Sequence, residues 1–148
     1  MRRAHFPPER NHLTAHVTLF HALPPSGEGE LRDLLARLAA DNPAPAAVLD
    51  CIISLGRGTA LHLVSPAMLE LRQQIADRFH GMLTAQDSSR PRLHITVQNK
   101  VSPVLARALQ AELAGSFRQR HFTFAGLGLH AYMGGPWQSL GRWSFRGT

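Results

Sequence analysis

One cysteine, one lysine and one tyrosine occur in 148 residues, and no uninterrupted apolar run approaches the length of a membrane span. A single cysteine excludes an internal disulfide and a cysteine-cluster metal site, and it fits a reducing compartment such as the cytoplasm. Without a run of about 18 apolar residues there is no membrane-spanning helix, and Met1–Pro8 carries two arginines but no apolar core of a secretory leader. No Gly-rich phosphate loop and no paired-carboxylate motif stands out. Cys51 lies in the apolar run Val48–Leu55 and is expected to be a small core residue.

The length suits one ordinary domain that buries about two thirds of the surface its unfolded form exposes. The formal net charge is +6 with a pI of about 11.2, which favours a polyanionic partner through long-range attraction. Fifteen of the sixteen basic residues are arginine, and they are dispersed along the chain with no polybasic tail.

Hydrophobic spacing predicts strand His12–Phe20, helix Glu28–Ala40, strands Ala47–Leu55 and Thr59–Val64 joined through Gly56-Arg57-Gly58, and a helix opened by Ser65-Pro66. The order then repeats: strand Leu93–Gln98, helix Val104–Phe117, and strands Phe122–Tyr132 and Gln138–Phe145 around the turn Met133-Gly134-Gly135-Pro136. This reads as an α+β domain over 1–148, bilobal and pseudo-twofold. Duplicated β-α-β-β units, with antiparallel sheets around a central groove, would form lobes of about 1–64 and 92–148, with the helix and loop of 65–91 between them.

Each repeat opens on the same pattern, His16-Val17-Thr18-Leu19 and His94-Ile95-Thr96-Val97, 78 residues apart. In a strand, residues i and i+2 share a face, so each pattern would present an imidazole and a hydroxyl together. Two imidazoles across a groove can serve as general base and general acid, because the unperturbed pKa of about 6.5 permits both protonation states near neutrality. The hydroxyls of Thr18 and Thr96 can hold the nonbridging oxygens of a phosphate diester, with no metal or cofactor needed. His12-Leu13-Thr14 is a further His-x-Thr in phase with the first, and His16 is preferred because the residues after it match the second motif.

Continued strand phase puts Phe20 and Gln98 on the motif face, as a ring to stack on a base and an amide to read an edge. Arg57, Arg92, Lys100 and Arg142 lie near strand ends as candidates for phosphate contact, and Tyr132 and Trp137 flank the last turn as further stacking candidates. His62, His80, His121 and His130 have no matched partner pattern and are expected to be ordinary polar or core residues.

At the two His-x-Thr motifs, their separation, the paired helices and Gly134-Gly135-Pro136-Trp137, the chain resembles the 2H phosphoesterase superfamily, which includes the 2'-5' RNA ligase and cyclic nucleotide phosphodiesterase-like proteins. The resemblance implies catalytic histidines at His16 and His94 and phosphate-binding threonines at Thr18 and Thr96. It also implies substrates that are RNA ends or nucleotides with 2',3'-cyclic phosphates or 2'-5' linkages. Eleven residues precede His12, where the family generally has a strand and a helix, and this implies a shortened first lobe. Hydrolysis of a cyclic phosphate is the activity expected; 2'-5' ligation through the same histidines and noncatalytic RNA or nucleotide binding are the alternatives.

Overall fold

The computed structural model describes residues 16–132 and 137–148, except the side chains of Tyr132 and Trp137. His12, Thr14 and the turn Met133-Gly134-Gly135-Pro136 therefore lie outside the described residues.

After a 3-10 turn at Pro25–Gly27, helix α1 spans Glu28–Asp41, with Glu28 and Glu30 in its first turn where negative charge complements the helix dipole. Strands β1 (Ala46–Ser54) and β2 (Thr59–Val64) form the expected hairpin. Helix α2 (Pro66–Arg78) has Pro66 at its first position and is capped by the Ser65 hydroxyl, which accepts from the Met68 amide at 3.2 Å. A short helix α3 (Ala85–Ser88) leads to β3 (His94–Gln98). Helix α4 (Pro103–Ser116) follows, capped by Ser102, and then β4 (Arg120–Thr123), β5 (Gly126–Tyr132) and β6 (Trp137–Ser144).

The strands make two antiparallel systems, a four-stranded sheet in the order β3-β2-β1-β4 and the β5-β6 hairpin. The class is α+β as expected. Two local expectations fail. The single strand over Phe122–Tyr132 is two strands, and they belong to different sheets with Phe124 and Ala125 between them. The segment 16–20 is not a strand, and the Leu19 carbonyl within it accepts from a side chain, Arg72 Nε.

The chain divides into two compact units, each drawn from three stretches of sequence. One holds the described residues through Thr18 with Val48–Val64 and Arg92–His121; the other holds Leu19–Ala47, Ser65–Pro91 and Phe122–Thr148. In the first unit α4 covers one face of the sheet, where Leu61, Val97, Leu109 and Leu113 form a buried cluster joined by Leu49, Ile52 and Phe117. In the second, the apolar stripe of α1 (Leu31, Leu34, Leu35, Leu38) is buried, and Arg32 reaches β6, donating to the carbonyl of Leu140 at 2.6 Å. Met68, Leu71 and Ile75 of α2 and Phe79 at its C-cap are buried as their helical spacing requires. Among the described residues no helix is long and apolar enough to cross a membrane.

Candidate active site

The face of the four-stranded sheet opposite α4 is set by cross-strand register. Residues directly opposite in an antiparallel pair share a face, with Cβ atoms about 4.5–5.5 Å apart. Ile52, Leu61 and Ile95 form one such row, and Leu61 belongs to the core beneath α4. The alternate rows therefore face the other way: Cys51, His62 and His94 in one, Ile53, Ala60 and Thr96 in the next. His94 and Thr96, two residues apart on β3, stand on that second face together, as the His-x-Thr spacing predicts.

His94 is half-buried, and its Nδ1 lies 2.8 Å from the carbonyl oxygen of Arg92. A carbonyl only accepts, so Nδ1 carries the hydrogen, and in the neutral ring Nε2 is left with the lone pair. His16 and Thr18 are exposed and belong to the same compact unit as His94 and Thr96.

The chain just beyond the first motif is held within the second unit. Arg72 on α2, 5% exposed, donates through Nε to the Leu19 carbonyl at 3.1 Å and through Nη2 to the Asp87 carbonyl at 2.6 Å. Its guanidinium sits 4.3 Å from the ring centroid of Phe20. The Asp87 carboxylate, 1% exposed, accepts from the His21 and Ala22 amides at 2.8 and 2.9 Å and from the His21 ring at 3.2 Å. Burial alone would raise the Asp87 pKa, but these hydrogen bonds outweigh it and hold the carboxyl below its ordinary value. One arginine and one aspartate thus partner the Leu19 carbonyl and the His21 and Ala22 amides.

The remaining expected site residues fare differently. Gln98 is buried, and its side-chain oxygen accepts from the Thr59 hydroxyl at 3.2 Å. Thr59 in turn accepts from Gln110 of α4 at 3.2 Å. The cause is a register shift between Thr59 and Ala60, whose partners are Gln98 and Thr96: an extra residue on β3 turns Gln98 toward α4 and off the motif face. The continued strand phase that put Gln98 on the motif face is broken at this shift. Phe20 has one ring face covered by the Arg72 guanidinium. Arg57 is exposed and ties two loops together, donating through Nε to the Val101 carbonyl at 3.1 Å while its own carbonyl accepts from the Val101 amide at 3.0 Å. Tyr132 closes β5 opposite Trp137, and its side chain is outside the described residues.

Sequence reasoning missed the neighbours of His94. Cys51 is exposed, not a core residue, and His62 donates from Nδ1 to Asp50 Oδ1 at 2.6 Å. Partial burial raises the Asp50 pKa, yet the hydrogen bond and charge of His62 and a hydrogen bond from Cys51 bring it below its usual value. The thiol of Cys51 is pushed up by partial desolvation and by Asp50, with Arg92 opposing. A charged Asp50 inside an otherwise apolar strand, one hairpin away from His62, is the signal that could have exposed the pair.

The profile of the 2'-5' RNA ligase superfamily matches residues 1–136. The chain belongs to the 2'-5' RNA ligase superfamily. Membership carries a phosphoesterase or ligase type of activity and RNA or nucleotide substrates in general terms. No curated protein matches the sequence. The crystal structure of TT0787 of Thermus thermophilus is similar at a TM-score of 0.56 with 16% identity, over 90% of this chain and 79% of that one. At that identity the likeness concerns the fold alone.

Proposed function

We propose that the protein is a metal-independent phosphodiesterase that opens 2',3'-cyclic phosphates on RNA ends or nucleotides by two-histidine acid and base catalysis. The observation that carries this reading is the β3 register, with His94 and Thr96 on the sheet face away from α4, in a member of the 2'-5' RNA ligase superfamily. The neutral histidine of the pair His16 and His94 takes a proton from water, and the protonated one delivers a proton to the leaving oxygen. For His94 the Arg92 carbonyl on Nδ1 supports Nε2 as the working nitrogen. Thr18 and Thr96 hold the nonbridging oxygens, with Arg57 as a further cation for the phosphate. The whole chain acts as one domain, and a single cysteine suits a cytoplasmic setting.

The test is turnover of a panel of 2',3'-cyclic nucleotides in EDTA, comparing the wild type with His16→Ala and His94→Ala and resolving the 2'- and 3'-phosphate products. Metal-free hydrolysis lost in both variants is expected. Hydrolysis that persists in either variant overturns the mechanism, and 2'-5' linked products in place of hydrolysis transfer the same site to ligation.

A further inference from the structure

We propose that Asp50, Cys51 and His62 bind a soft divalent cation, zinc by the character of the donors, with His94 within reach of the remaining coordination position. The three side chains bring one ligand atom each to within 4.8 Å of one another. Zinc bonds of about 2.0–2.3 Å in a tetrahedron place ligand atoms about 3.4 Å apart, a spacing that modest side-chain rotation supplies here. A thiolate, an imidazole and a carboxylate, with one position left open, suit zinc over the harder magnesium or calcium.

The convergence depends on an irregularity. On a regular strand Asp50 and Cys51 would point to opposite faces. The register shift between Leu49 and Cys51, whose partners are the consecutive residues Leu63 and His62, inserts Asp50 as an extra residue and turns both side chains toward His62. Without the cation, Asp50 accepts a hydrogen bond from the His62 imidazole, and a metal displacing that hydrogen keeps both groups partnered. His62 and His94 are direct cross-strand partners on one face, and an ion held by His62 is therefore a neighbour of the His94 ring. The site itself stands on the cluster alone. Its consequence, that zinc lowers turnover by engaging His94, rests on the function proposed above.

The metal-stripped full-length protein is titrated with cobalt(II) and followed by optical absorption. We expect a thiolate-to-cobalt charge-transfer band that saturates at one equivalent and is abolished in Cys51→Ser. In His62→Gln and in Asp50→Asn the affinity should fall at least about tenfold, the cost already associated with disturbing a ligand's supporting contacts. Absence of the band, or a band of undiminished affinity in both of those variants, overturns the site, the latter because it reports a lone thiol. In parallel, zinc is expected to shift the ring nitrogen resonances of His94 and to lower cyclic phosphate turnover in the wild type but not in Cys51→Ser. Unmoved His94 resonances alongside a one-equivalent cobalt band overturn the link to His94 and leave the site standing. A protein with no turnover but with an intact band and shifted resonances overturns the proposed function alone.

Discussion

His94 Nδ1 lies 2.8 Å from the carbonyl oxygen of Arg92, two residues earlier in the chain, and this bond selects which nitrogen of the ring is available for proton transfer. It predicts that neutral His94 is the Nδ1–H tautomer, which nitrogen-15 spectra of the ring distinguish directly. Truncation by His94→Ala should lower kcat by about 10²–10⁴-fold with an unchanged far-ultraviolet dichroism spectrum. Thr96→Ala should cost less, about tenfold, in keeping with one neutral hydrogen bond. A loss for Thr96→Ala as large as that for His94→Ala would contradict the roles assigned to them.

Asp87 is predicted to make stability depend on acid. Its folded pKa lies below the unfolded value of about 3.9, so its contribution is complete above that value and disappears as pH falls through the lower folded one. Urea unfolding across pH 2–6 should therefore show a slope in the wild type that is reduced in Asp87→Asn. Asp87→Ala should cost about 1–3 kcal/mol by orphaning buried donors. An acid profile identical in the wild type and Asp87→Asn would refute this account.

Arg72 should be irreplaceable by lysine. Its planar fork donates to two carbonyls in different directions, Leu19 and Asp87, while stacking on Phe20, and a point-like ammonium cannot reproduce that set. Arg72→Lys is expected to destabilise by about 1–3 kcal/mol. It should also raise hydrogen exchange at the His21 and Ala22 amides more than at the amides of β2. Equal protection in the two places would argue against a local anchoring role.

Gln98→Ala should lower stability by about 1–2 kcal/mol, because Thr59 loses a buried partner. If KM rises while the midpoint of unfolding stays put, Gln98 reads substrate after all and the register argument is wrong.

Gly58 lies so close to β3 that a Cβ there would collide with the carbonyl oxygen of Gln98. Gly58→Ala is predicted to destabilise by about 1–3 kcal/mol through forced backbone displacement. Calorimetry settles the sign, and a neutral or stabilising result would mean the β2-β3 junction is looser than described.

Much of the secondary structure was legible because its signals are local. The stripe Leu31, Leu34, Leu35, Leu38 has helical spacing, Ser65-Pro66 and Ser102-Pro103 are capped helix starts, and Gly56-Arg57-Gly58 punctuates a hairpin. The second motif was legible too, since period-two alternation places His94 and Thr96 on one face wherever β3 pairs. The first was less so: no periodicity in 16–20 discloses that Arg72 and Asp87, more than fifty residues away, bind the backbone beside it.

By itself the sequence determined the α+β class, the three long helices, the hairpin and the pairing of an imidazole with a hydroxyl on β3, because each follows from the spacing of neighbours along the chain. Only the tertiary structure decided that Gln98 turns inward, that Cys51 turns outward, and that Asp50 meets His62 beside His94. The physical reason is the same in all three cases. A β-bulge shifts side-chain phase by one residue, and whether a bulge forms depends on how one strand registers against another, which residue spacing within a strand does not encode.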